Sequence, residues 1–150
     1  MSFRGFHLRC DDAILKRLRH RPVLYVGEIG RARDYDIVHP VSSRPCDPDV
    51  ALYKYGVSTD VYRRTHREHR KRFDRFDVRY AWETHRHFEV EGIVTKELRA
   101  RRLLLQLRRK ERMAREIMFF RDDRDELWFE TLVNELILSR PPHVFEAEAD

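Results

Sequence analysis

Residues 60–91 contain neither glycine nor proline, and this unbroken run is the strongest local constraint in the sequence. Wound as an α-helix at about 1.5 Å per residue, it would span roughly 48 Å. Within it, Tyr62, His66, His69, Phe73, Phe76, Tyr80 and His87 follow one another at separations of 4, 3, 4, 3, 4 and 7. That is a heptad-like stripe made of aromatics and histidines. At about 100° per residue, Arg63, Arg64, Arg67, Arg70, Lys71, Arg75, Arg79 and Arg86 fall on the opposite half. The pattern predicts one long, two-faced helix.

Gly92 follows, and residues 93–121 carry a second stripe of Ile93, Ala100, Leu103, Leu104, Leu107, Ala114, Ile117 and Met118. Gly92 either forms the left-handed turn between two antiparallel helices, the arrangement we expect, or is crossed by a continuous helix at about 1 kcal/mol relative to alanine. Asp122 and Asp123 cap a last helix with Asp125 and Glu126 in its first turn, ended by Pro141-Pro142. Upstream, residues 11–20 suit a short helix stopped by Pro22. Residues 22–46 suit an extended strap or a small hairpin of 23–26 with 35–38, the strap being preferred. Asp47-Pro48 starts a turn or two of helix that Gly56 stops. The expected fold is mainly α and a single domain over residues 1–150. An extended strap with short helices occupies 1–57, a long basic helical hairpin 58–121, and an acidic, short amphipathic C-terminal helix with its tail 122–150.

Charge decides what such a chain meets. The net charge is +5, but residues 61–121 hold nineteen bases against nine acids, and residues 122–150 hold two against nine. A basic middle and an acidic end point to a polyanion on one side and a basic neighbour on the other. Arg outnumbers Lys 26 to 5. A GC-rich coding bias would explain that ratio, though not the clustering. Pairs four apart (Glu68–Arg72, Arg70–Asp74, Arg79–Glu83) neutralise part of the surplus. The residues expected to contact RNA are Arg63, Arg64, Arg67, Arg70, Lys71, Arg75, Arg79, Arg101, Arg102, Arg108, Arg109 and Arg112. Trp82, on the same half, is expected to stack on an unpaired base. Leu127, Trp128, Leu132 and Leu136 form an apolar face expected to bind a partner, unless it packs on the hairpin.

Chemistry finds few footholds in the sequence. His66, His69, His85 and His87, near Glu68 and Glu89, suggest a metal, but HREH is not HExxH, and no Glu-x-x-His pair occurs on two helices. GEIG is too sparse in glycine for a phosphate loop, and there is no GxSxG elbow. Cys10 and Cys46 have no ligand spacing. No catalytic residue, metal, cofactor or small-molecule substrate is therefore expected. No apolar run reaches the ~20 residues of a membrane span. Residues 1–10 (MSFRGFHLRC) hold Arg and His without acid, which suits the mitochondrial matrix as an address, with cytoplasm or nucleus as alternatives.

The order DPDVALYKYG, YRRTHREHRKRFDRF, EGIVTKELRARRLLLQLRRKERMARE and a closing amphipathic helix resembles the long-helix accessory proteins of the mitochondrial ribosomal small subunit. The resemblance covers about residues 47–140 and lies in layout. It implies a structural subunit laid along ribosomal RNA and neighbouring proteins of a large assembly. An accessory subunit or assembly factor of a mitochondrial respiratory complex, using the same helices as protein struts, is the alternative.

Overall fold

Residues 23–26 (VLYV) are β-branched, aliphatic or aromatic without interruption, which suits a strand covered on both faces. In the computed structural model, which describes residues 5–38, 44–109 and 112–138, they open β2 (Val23–Arg31), and all four are buried. On one side β2 pairs with β4 (Ala51–Ser58), Tyr25 lying opposite Gly56. On the other it pairs with β5 (Asp77–Glu83), Leu24 lying opposite Trp82. Beyond β5 lies β1 (Phe6–Leu8); beyond β4 lie β7 (Arg112–Phe119), β6 (Leu104–Arg109) and β3 (Asp36–Val38). All described pairs are antiparallel, in the order β1-β5-β2-β4-β7-β6-β3.

Helices cover both faces. Asp11 caps α1 (Asp12–Arg17), its carboxylate accepting from Ile14 N. Asp60 caps α2 (Val61–Arg63), which runs through a π-helical stretch (Arg64–His69) into α3 (Arg70–Arg72). This segment packs His69 and Phe76 against Tyr25. On the opposite face, α4 (His87–Ala100) bonds β4 through Thr95 and Tyr55, and α5 (Asp123–Leu138) packs Phe129 against Trp82.

The expected mainly α fold with a long helical hairpin is therefore corrected. The described residues form a seven-stranded antiparallel sheet covered by helices, with 41% of them helical and 34% in strands. The strap of residues 22–46 is instead the central strand and an edge strand. The expected long helix ends at Arg72, and DVRYAWE becomes β5. There Val78, Tyr80 and Trp82 alternate with Asp77, Arg79 and Glu83, the period of two that a strand requires. The heptad stripe was a coincidence of spacing, because the step from 76 to 80 fits either period. The second expected helix ends at Ala100; Arg102 adopts a left-handed backbone (φ 64°), and β6 and β7 follow. Gly92 sits inside α4, with open space where a side chain would be, and makes no bend. Residues 47–50 form a turn rather than a helix. The short helix after Asp11 and the capped C-terminal helix are as expected; Pro141-Pro142 lies outside the described residues.

Candidate active site

Tyr25 lies at the middle of the sheet, with its phenol crossing Gly56 on the neighbouring strand. A β-carbon at Gly56 would stand 2.7 Å from Tyr25 Oη, so only glycine leaves room for that crossing. The phenol meets His69 Nε2 at 2.5 Å. The Phe76 ring stacks on the His69 imidazole at 4.5 Å and also fills the space over Gly27, which no β-carbon could share. Both members of the pair are buried, Tyr25 to 1% exposure and His69 to 2%.

The π-helical stretch explains how Arg64 and His69 share a side. In an α-helix, residues five apart point about 140° away from each other. Widening the turn to i→i+5 brings them closer in angle, and such bulges are frequent at functional sites. Arg64 bonds Glu68 through Nε at 2.5 Å and acts electrostatically on Tyr25. From β4, Lys54 Nζ meets Glu116 Oε2 of β7 at 2.5 Å and also donates to the Tyr55 carbonyl. Glu116 holds a left-handed backbone (φ 61°), unusual for a residue with a side chain. Glu91 reaches the cluster from α4.

The charges act on one another. Burial, and then the Lys54, Arg64 and Arg72 cations, push the His69 imidazole down to about 3, so it is neutral and can accept the phenol's proton bond. Burial raises the Tyr25 phenol; Arg64 opposes that, while Glu116, Glu91 and Glu68 add to it. Burial and Glu116 likewise raise the Glu91 carboxyl, against Lys54 and Arg64. His69 Nδ1 and the Thr65 hydroxyl beside it are buried with no hydrogen-bond partner. Among the described residues, no group of three or more His, Cys, Asp or Glu converges to hold a metal.

The residues singled out from sequence scatter. Arg63, Arg67, Arg70 and Lys71 line the exposed side of the α2–α3 segment, while Arg64 is half-exposed and paired with Glu68. Arg70 is engaged with Asp12 and His66. Arg75 and Arg79 both pair with Glu28, and Arg75 also with Asp77. Arg101 lies over the Trp128 ring at 4.0 Å; Arg102 and Arg108 are exposed. The side chains of Arg109 and Arg112 lie outside the described residues. Trp82 is corrected: it is 0% exposed, donates to Asn134 and is core, unable to stack on a base. On α5, Leu127 is 65% exposed, whereas Trp128, Leu132 and Leu136 are half-buried.

Sequence reasoning missed Tyr25, Lys54, Glu91 and Glu116 and weighed His69 as a member of the aromatic stripe and as a metal ligand, not as a partner of a buried tyrosine. The available signal was LYVG and YKYG, two β-prone stretches each carrying a Tyr within two residues of a Gly. Reading residues 22–46 as a strap hid it. No family model, curated protein or solved structure matches the chain. No helix among the described residues is long and apolar enough to cross a membrane.

Proposed function

We propose that the chain binds nucleic acid and hydrolyses a phosphodiester bond at the Tyr25–His69 pair. The observation that carries this reading is the buried 2.5 Å phenol–imidazole bond, held neutral by burial and by the Lys54 and Arg64 cations. A phosphodiester drawn between those cations offsets only the smaller, electrostatic part of the His69 depression, burial being the larger cause. Tyr25 and His69 are only 1% and 2% exposed, so the step requires the α2–α3 segment to move aside and admit substrate and water. Water attacking phosphorus then gives its proton to Tyr25 Oη as Tyr25 passes its own to His69 Nε2. The bond from phosphorus to the leaving oxygen breaks, that oxygen takes a proton from solvent, and His69 returns its proton to solvent. Lys54 and Arg64 meet the charge on the non-bridging oxygens, the usual role of cations in phosphoryl transfer. If the reaction uses Mg²⁺, Glu91 would be the carboxylate to hold it, and the ion would supply charge stabilisation there. This reading departs from the non-catalytic chain expected from sequence.

The test is cleavage of end-labelled DNA and RNA, duplex and single-stranded, with and without Mg²⁺. Tyr25→Phe is expected to lower kcat by about 10²–10⁴-fold, the span of general acid–base contributions. A folded wild-type chain that binds these strands and cuts none of them overturns the proposal.

A second reading keeps the chain as a structural, RNA-contacting subunit of an organellar ribosome. It is favoured by the exposed Arg101, Arg102 and Arg108, which lie outside the Tyr25 cluster. Crosslinks from these residues to ribosomal RNA in native particles would support it, and binding without cleavage is its signature.

A further inference from the structure

Outside the Tyr25 cluster, α1 and α2 build a second cationic feature. Lys16 Nζ and the Arg19 guanidinium stand 5.6 and 5.2 Å from the centre of the Tyr62 ring, and His66 lies against the same ring at 4.4 Å. A concavity beside them is lined by Arg19, Asp60, Tyr62, Arg63, His66 and Arg67. Arg19, Arg63 and Arg67 are exposed, and none has an ion-pair partner among the described residues. The Asp60 carboxylate is occupied in capping α2, and His66 is engaged with Asp12 and Arg70. Three unpaired guanidinium groups therefore converge where the nearby carboxylates already have work.

We infer that this shoulder anchors the phosphate backbone of a nucleic-acid duplex; the inference rests on the nucleic-acid-binding part of the proposed function. Arg64 and His69 face the cluster from the same helical segment whose outer side carries Arg63 and Arg67. Guanidinium groups grip phosphate oxygens as a planar fork. Single-strand sites add open aromatic faces on which bases stack. Here the Tyr62 ring is covered by Lys16, Arg19 and His66, which leaves phosphate contact as the means of recognition and predicts little preference for sequence.

The experiment measures binding of fluorescein-labelled DNA duplex, RNA duplex and single strand across a salt series, for the wild-type chain and the triple variant R19A/R63A/R67A. Circular dichroism melts establish that the variant folds, and Arg→Lys at the same three positions supplies a charge-retaining control. The expected result is duplex bound more tightly than single strand. The log–log salt slope should fall by about 2–3 units in the alanine variant and stay near wild type in the lysine variant. In cleavage assays KM should rise with kcat nearly unchanged. The tighter-bound duplex, DNA or RNA, identifies the partner. An unchanged slope in the folded alanine variant, or tighter binding of single strand, overturns the inference even where cleavage persists. Loss of the slope in a chain that cuts nothing upholds the shoulder and removes the phosphodiesterase reading.

Discussion

The two faces of the sheet surround their buried aromatics differently. Toward α5, Trp82 donates to Asn134 at 2.7 Å, Tyr80 donates to Glu126, and Trp82 stacks with Phe6 and meets Phe129 edge-on. Each aromatic has an apolar body in the core and a satisfied polar tip, the usual arrangement for stability. Toward α2 and α3, the Tyr25–His69 bond sits beside two orphaned atoms, His69 Nδ1 and Thr65 Oγ1, amid cations and carboxylates that displace one another's ionisation. A buried polar atom without a partner costs about 1–3 kcal/mol. His87 Nδ1 on α4 is likewise buried without a partner, so what distinguishes the Tyr25 face is the set of ionisable groups gathered around its orphaned atoms.

The largest expected effect breaks the stable face. Trp82→Ala deletes a wholly buried indole and leaves Asn134 facing a cavity, so it should cost about 3–5 kcal/mol in urea unfolding. A loss under about 1 kcal/mol would mean that Trp82 is not core and would reopen its role as a base-stacking residue.

The next effect belongs to the chemical face and depends on pH. His69 in the fold titrates near 3, well below its ordinary value, so the folded state keeps the imidazole neutral while the unfolded chain takes up a proton. Stability from this group is complete above about pH 6.5 and is lost as pH falls toward 3, by about 1.4 kcal/mol per unit. Replacing both partners, Tyr25→Phe with His69→Leu, should leave stability at pH 7 within about 1 kcal/mol and flatten the acid slope. If the double variant unfolds in acid as steeply as wild type, His69 is not the neutral buried group described here.

Some of this contrast was legible in the sequence, and the reason the rest was not is physical. The caps at Asp11 and Asp122 depend on local chemistry, so α1 and α5 could be placed from sequence. The strands depend on partners far along the chain. DVRYAWE is amphipathic with period two, yet its aromatics also continue a helical spacing begun at Tyr62, and the absence of Gly and Pro made the longer pattern look continuous. His69, Phe73 and Phe76 were correctly grouped as one apolar side, but the surface they cover is β2, a strand taken for a strap. Without that strand Tyr25 and Lys54 had no reason to meet Arg64 and Glu91, so the candidate site could not be assembled. The exposed arginines of α2 and α3 were legible because residues 61–72 are helical throughout, although the π-helical stretch of Arg64–His69 shifts the spacing that an α-helix would give.

The smallest effect sharpens the comparison within the chemical face itself. Glu116 reaches Lys54 from a left-handed position on β7 and raises the Glu91 carboxyl by repulsion. Its carboxylate therefore occupies the cation that a phosphate needs. Glu116→Gln keeps the side chain's size and removes its charge. The lost ion pair is half-exposed on the Glu116 side, so stability should fall by no more than about 1 kcal/mol. The freed Lys54 ammonium and the unopposed Arg64 should then attract a phosphodiester more strongly, lowering KM several-fold at low salt and less at high salt, where screening weakens the gain. Glu91, relieved of its neighbour, should also ionise at lower pH, moving the acid limb of the pH–rate profile downward. If Glu116→Gln instead raises KM or lowers kcat, the carboxylate assists substrate binding or catalysis, and Glu116 belongs with Glu91 in the working part of the cluster.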